Sequence, residues 1–170
     1  KRQGITFVQR LKESTGVGSA QVAAAYVVVR DVFHLPFWWR QIEALDNQVP
    51  ADLQLTMMDE LMRLGRRATR WYLRSRRNDL DAARDVAHLG PRVKALAMRL
   101  DELLEGPARD EWMARYQTYV EAGVPELLSR VVAGTGHLYT LLPIIESADL
   151  TGREPTEVAS AYFAVSDALD

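Results

Sequence analysis

The sequence predicts an all-α fold: a helical bundle of about ten mostly short amphipathic helices around one long central helix. Two observations carry that expectation. Seven prolines and ten glycines fall mostly between segments whose apolar residues recur every three or four positions, where helix punctuation belongs. Period-2 runs of β-branched residues are absent, and the one β-like patch, Val27-Val28-Val29, lies inside a longer 3.6-period segment.

In order, the pattern predicts helices at 5–13, 19–34, 36–47, 51–77, 79–88, 91–104, 107–122, 124–134, 137–149 and 155–168. Pro36, Pro91, Pro107, Pro125 and Pro155 sit at the expected first turns, which tolerate a missing N–H. The segment from 51 is the longest. It carries the densest run of charge, GRRATRWYLRSRR at 65–77. Phe33, Phe37, Trp38 and Trp39 surround Pro36 and are expected to clamp two helices together rather than to line a ligand pocket.

A chain of 170 residues fits one domain, burying about 70% of its unfolded surface. We therefore expect a single helical domain over 1–170. The chain begins at Lys1-Arg2 without a methionine, which suggests a fragment cut from something longer. The net charge of −2 argues against a dedicated nucleic-acid-binding domain, which would carry a basic excess. With no cysteine, disulfides and thiolate metal sites are excluded. No apolar run approaches a membrane span, so a cytoplasmic protein with no membrane partner is expected.

The chain also echoes itself. TGVGSAQVAAAYVVVRDVFH (15–34) aligns without a gap on TGREPTEVASAYFAVSDALD (151–170). The shared glycine suits a left-handed residue that closes the preceding helix. Val22, Ala25, Tyr26 and Val29 form one stripe, and Val158, Ala161, Tyr162 and Val165 form its counterpart. Two helix starts with matching core faces, or a duplication bracketing the domain, would each produce this pattern.

On a helical wheel of 59–77, Leu61, Leu64, Ala68, Trp71, Tyr72 and Ser75 face inward, while Arg66, Arg70, Arg74 and Arg77 form another row flanked by Arg63 and Arg67. Base stacking needs aromatic and basic groups on one surface, so the separation counts against a nucleic-acid grip. A solvated or salt-bridged face, or a docking surface for an acidic domain or subunit, fits better. Arginine's planar fork pairs bidentately with carboxylates.

Catalytic constellations are missing. His34, His88 and His137 have neither metal-ligand spacing nor an HExxH context. No glycine-rich phosphate loop follows a strand, and no serine sits in a nucleophile elbow. The pairs Asp101-Glu102 and Asp110-Glu111 lie at polar helix ends without the burial that acid–base work demands.

GITFVQRL (4–11), AAAYVVVRDVF (23–33), IEALDNQVPADLQ (42–54), RRATRWYLRSRR (66–77), AGVPELLSRV (122–131) and LTGREPTEVASAYFAVSDAL (150–169) together resemble one family. It is the C-terminal helical region of the large bacterial NAD-specific glutamate dehydrogenases. The resemblance covers nearly the whole chain. It implies a parent enzyme that oxidises L-glutamate, with NAD and water, to 2-oxoglutarate, ammonia and NADH on a core N-terminal to this region. It also implies that the catalytic lysine and the NAD site belong to that core. Lys1, Lys12 and Lys94 match no such motif, so no catalytic, cofactor or metal residue is assigned here. The implied role is interdomain packing, oligomer assembly or regulation. The implied partners are the catalytic domain of the same chain and further copies in a homo-oligomer. The rival readings are an independent helical interaction module and a nucleic-acid-binding helical domain. The docking candidates are Arg63, Arg66, Arg67, Arg70, Arg74 and Arg77.

Overall fold

A computed structural model describes residues 2–75, 90–138, 140 and 142–169. Every regular element among them is helical, as expected from the sequence. No helix among the described residues is long and apolar enough to cross a membrane. Two compact units divide the chain, Lys1–Lys94 and Ala95–Asp170.

The first unit holds α1 (Arg2–Thr15), α2 (Ser19–Val32), α3 (Leu35–Glu43), a 3₁₀ turn (Asp46–Gln48) and the long α4 (Ala51–Ser75). The next helix, α5 (Gly90–Ala97), spans the boundary in sequence. The predicted helix at 79–88 lies outside the described residues. α1, α2 and α3 all pack on α4. The reason lies in the spacing along α4, where Met57, Leu61, Leu64, Ala68 and Tyr72 recur every three or four residues and are all buried. Trp71 is only half-buried. Gly65 admits the neighbouring helix: a Cβ there would stand 3.0 Å from Leu35 Cδ1. Beside it the buried Thr69 hydroxyl donates to the Gly65 carbonyl at 2.6 Å, so its polar atom is satisfied within the helix.

Two predicted helices are shorter than their apolar patterns suggested. The one expected at 19–34 stops at Val32, and the one expected at 36–47 stops at Glu43. At both exits a non-glycine residue turns left-handed, His34 at φ 51° and Asp46 at φ 41°. Such a residue costs roughly 1–2 kcal/mol and ends the right-handed run. Phe33 and Trp38 are buried at the first corner, with Phe37 edge-on to Trp38 at 4.8 Å. Phe37 itself stays exposed, and the half-buried Trp39 donates from Nε1 to Glu43 Oε1 at 2.8 Å. The clamp expected of four aromatics thus rests on two.

The second unit continues with α6 (Leu100–Leu103), α7 (Gly106–Glu121), α8 (Glu126–Ala133), α9 (Thr135–Leu138), α10 (Leu142–Thr151) and α11 (Pro155–Leu169). Its core gathers Leu100, Leu103 and Leu104 with Trp112 and Tyr119 of α7 and Leu128, Val131 and Val132 of α8. The helix expected at 91–104 breaks into α5 and α6 at a turn through Met98 and Arg99. The helix expected at 137–149 is also two helices. Pro143 is the second residue of α10, where its missing N–H is harmless; inside a continuous helix it would delete a backbone bond and clash with the preceding turn. Pro125 is the residue before α8 and not in its first turn, with its carbonyl accepting the Ser129 N–H at 2.9 Å.

The internal echo is a repeated helix–turn–helix. Gly16 and Gly152 share a left-handed φ, 65° and 66°, which only glycine adopts without a steric cost. The Thr15 hydroxyl donates to the Leu11 carbonyl and the Thr151 hydroxyl to the Ser147 carbonyl, each at 2.7 Å. The following helices begin at the aligned residues Ser19 and Pro155.

Candidate functional site

The basic row lies on α4 because the apolar stripe of that helix turns the opposite side inward. Arg63 is exposed and bridges two carboxylates one turn back, Asp59 at 2.8 Å and Glu60 at 3.5 Å. Arg66 stands 3.9 Å from the same Asp59. Such exposed pairs contribute about 0–1 kcal/mol each. Arg67 is also exposed. Farther along, Arg70 and Arg74 are exposed and, among the described residues, have no carboxylate within ion-pair distance. Arg77 lies outside the described residues. Arg74 borders a surface groove lined by Ser14, Thr15, Val17 and Leu73.

The aromatic pair in the middle of this stretch does not join the basic surface as a unit. Tyr72 is in the core, and Trp71 is half-buried. The chemistry of the face is therefore cationic and hydrogen-bond donating. Its N-terminal arginines are engaged with their own helix, and two further along are open to an acidic partner.

A second cluster, in the second unit, escaped the sequence reading. Arg130 of α8 lies over two aromatic rings of α7, its guanidinium carbon 5.5 Å from the Trp112 ring centre and 5.3 Å from that of Tyr116. Those rings are themselves stacked, 5.3 Å apart and 13° from parallel. The side chain is 13% exposed and reaches Asp101 at 3.2 Å and Glu126 at 3.4 Å. It also donates to the Met98 carbonyl at 3.2 Å. Burial opposes the charge, but the bonds to Asp101 and Glu126 outweigh it and raise the guanidinium pKa above its ordinary value. Arg130 thus ties α6, α7 and α8 together with its hydrogen-bonding capacity largely used, which makes it a structural knot and not a ligand site. The pairs Trp112/Tyr116 and Glu126/Arg130 are legible as i,i+4 neighbours. Their meeting across the α7–α8 hairpin is not.

Among the described residues, the histidines do not converge with other ligands. His34 forms the left-handed corner before α3, and His88 lies outside the described residues. His137 is half-buried on α9, where burial lowers its pKa, opposed by Glu111 and assisted by Arg115. No three His, Cys, Asp or Glu side chains among the described residues are grouped to hold a metal ion. Above the unfolded value of about 6.5 His137 is neutral in both states and contributes nothing to pH dependence. Below it the unfolded chain takes up the proton first, so stability falls until the pH reaches the lower folded pKa. We expect the stability of this chain to decline from pH 7 to pH 5 with a slope that His137→Gln reduces, as read from urea midpoints at each pH. An unchanged slope would contradict the assignment.

The carboxylates that sequence spacing paired do not form an acid–base site. Asp101 is half-buried and engaged by Arg130, while Glu102, Asp110 and Glu111 are exposed.

Comparison with known proteins completes the description. The family described as "Glutamate dehydrogenase, C-terminal" matches residues 1–170. The chain is 77% identical over 167 residues to an NAD-specific glutamate dehydrogenase of Pseudomonas aeruginosa, covering 98% of this chain and 10% of that protein. It is 44% identical over 167 residues to the protein of that name from Halomonas elongata, and 32% identical over 166 residues to the one from Mycobacterium tuberculosis, with the same coverage. The chain therefore spans about a tenth of the length of the curated relatives it matches.

Proposed function

The chain belongs to the glutamate dehydrogenase C-terminal family, and from that premise we propose that it is a non-catalytic helical packing region of an NAD-specific glutamate dehydrogenase. The observation that carries the reading is 77% identity to such an enzyme over 98% of this chain. The parent reaction is oxidation of L-glutamate by NAD to 2-oxoglutarate and ammonia, performed elsewhere in the polypeptide. Among the described residues, the buried hydroxyls of Thr69 and Ser129 donate to the backbone carbonyls of Gly65 and Val124, which agrees with a packing role. In this reading the open end of the α4 row, Arg70 and Arg74, docks against an acidic surface of the catalytic portion or of a neighbouring subunit. Arg63 and Arg66 are already occupied by Asp59 and Glu60 and contribute less.

The test is a double charge reversal, Arg70→Glu with Arg74→Glu, in the full-length enzyme. Removing one partner of a hydrogen-bonded charge pair buried in an interface costs about 2–5 kcal/mol. The sedimentation profile should therefore shift toward smaller species, or the thermal midpoint of the assembly should fall. The Kd for NAD in the assembly that survives should be unchanged. Unaltered sedimentation and melting would remove the row from the interface, and a selective loss of NAD binding would contradict the silent role.

A further inference from the structure

The two copies of the repeated hairpin share a sequence pattern and a turn, yet their apolar stripes have opposite fates. On α2, which packs on α4 and α1, Val22, Ala25, Val29 and the following Phe33 are each no more than 2% exposed. Their counterparts on α11 are Val158, Ala161, Val165 and Leu169. Val158 is half-buried, Ala161 is exposed, Val165 is 60% exposed and Leu169 is 82% exposed. α11 packs on α10 and α6 through a neighbouring edge, at Ala159, which is fully buried. Ala161, Val165 and Leu169, four residues apart and exposed, are the arrangement a partner helix recognises, since a contiguous apolar face marks an interaction surface.

The first copy shows what this pattern fits. The residues that cover α2 come largely from α4, an amphipathic helix whose buried stripe is Met57, Leu61, Leu64 and Ala68. The length of the relatives shows where such a helix can come from, because this chain is about a tenth of them. We propose that the Ala161–Val165–Leu169 face of α11 seats an amphipathic helix with a Leu/Met/Ala stripe. That helix is supplied by the part of the dehydrogenase polypeptide outside these 170 residues. This deepens the packing role proposed above and rests on it, while using a different helix from the arginine row.

The test places a photo-crosslinking residue at position 165 of the full-length enzyme and maps the products by mass spectrometry. A second variant at position 169 covers the case in which the first fails to fold. A third, at the exposed Leu55 of α4, gives the background for an uncovered site. The expected result is a severalfold higher yield from 165 or 169 than from 55, into one peptide outside the 170 residues. Crosslinks into residues 1–170, whether of the same subunit or of a second copy, overturn the proposal, as does a yield equal to that at 55. The Arg70/Arg74 variant reads assembly through another surface, so a failure of the arginine row and a failure of this seat are told apart.

Discussion

Trp112→Ala is expected to remove most of the stability of the second unit. The indole is fully buried, and among the described residues it is the largest of the side chains sealed from solvent. Emptying such a site costs about 3–5 kcal/mol through lost transfer energy and an incompletely collapsed cavity. Two further losses are specific to this fold. The Tyr116 ring loses its stacking partner, and Arg130 loses one of the two faces over which its charge lies. With an m value of about 2 kcal/mol/M, the urea midpoint for this unit should drop by about 2 M. Met113→Ala, next door on the exposed side of α7, should stay within about 0.5 kcal/mol of the parent. Equal losses at the two positions, measured by urea titration with circular dichroism, would show that the α7–α8 contact is not the centre of this unit.

The second large effect is a contrast between equivalent positions. Val29→Asp places a carboxylate at a buried position of α2 that is 2% exposed. A buried, unpartnered charge belongs to the small class of substitutions that cost more than about 4 kcal/mol, even after a pKa shift toward the neutral form. The first unit should lose its cooperative melt. Val165→Asp makes the same chemical change at the aligned position of α11, which is 60% exposed. In this chain alone it should cost under about 1 kcal/mol, mostly from helix propensity. In the full-length enzyme it should cost more, because the proposed seat would then hold a charge against an apolar helix. A large loss at Val165 in the isolated chain would mean that its face is already covered within these 170 residues.

This pair of valines also marks how far the sequence could be read. Helical periodicity placed Leu61, Leu64, Ala68 and Tyr72 in the core and the arginines on a surface, because a 100° step per residue fixes which side chains share a face. The glycines at 16 and 152 announced a left-handed turn, because few other residues adopt it cheaply. Helix ends were less legible. His34 and Asp46 turn left-handed without glycine, and Met98-Arg99 interrupts an apolar pattern that continues across the break. His and Asp enter the left-handed region more readily than most residues, but the sequence does not say at which of them a helix stops. The Arg130 cluster was invisible for a related reason, since Trp112 and Arg130 are eighteen residues apart and meet only when the α7–α8 hairpin closes.

The sequence alone therefore determined the all-α class, the long basic helix, the repeated turn and the likeness to a dehydrogenase's C-terminal region. Each of these is a property of neighbours along the chain or of the order of motifs within it. Only the tertiary structure decided which apolar stripe is covered and which is left open, because burial depends on what arrives from elsewhere. Val29 is buried on a helix that packs against α4 and α1; Val165 is 60% exposed.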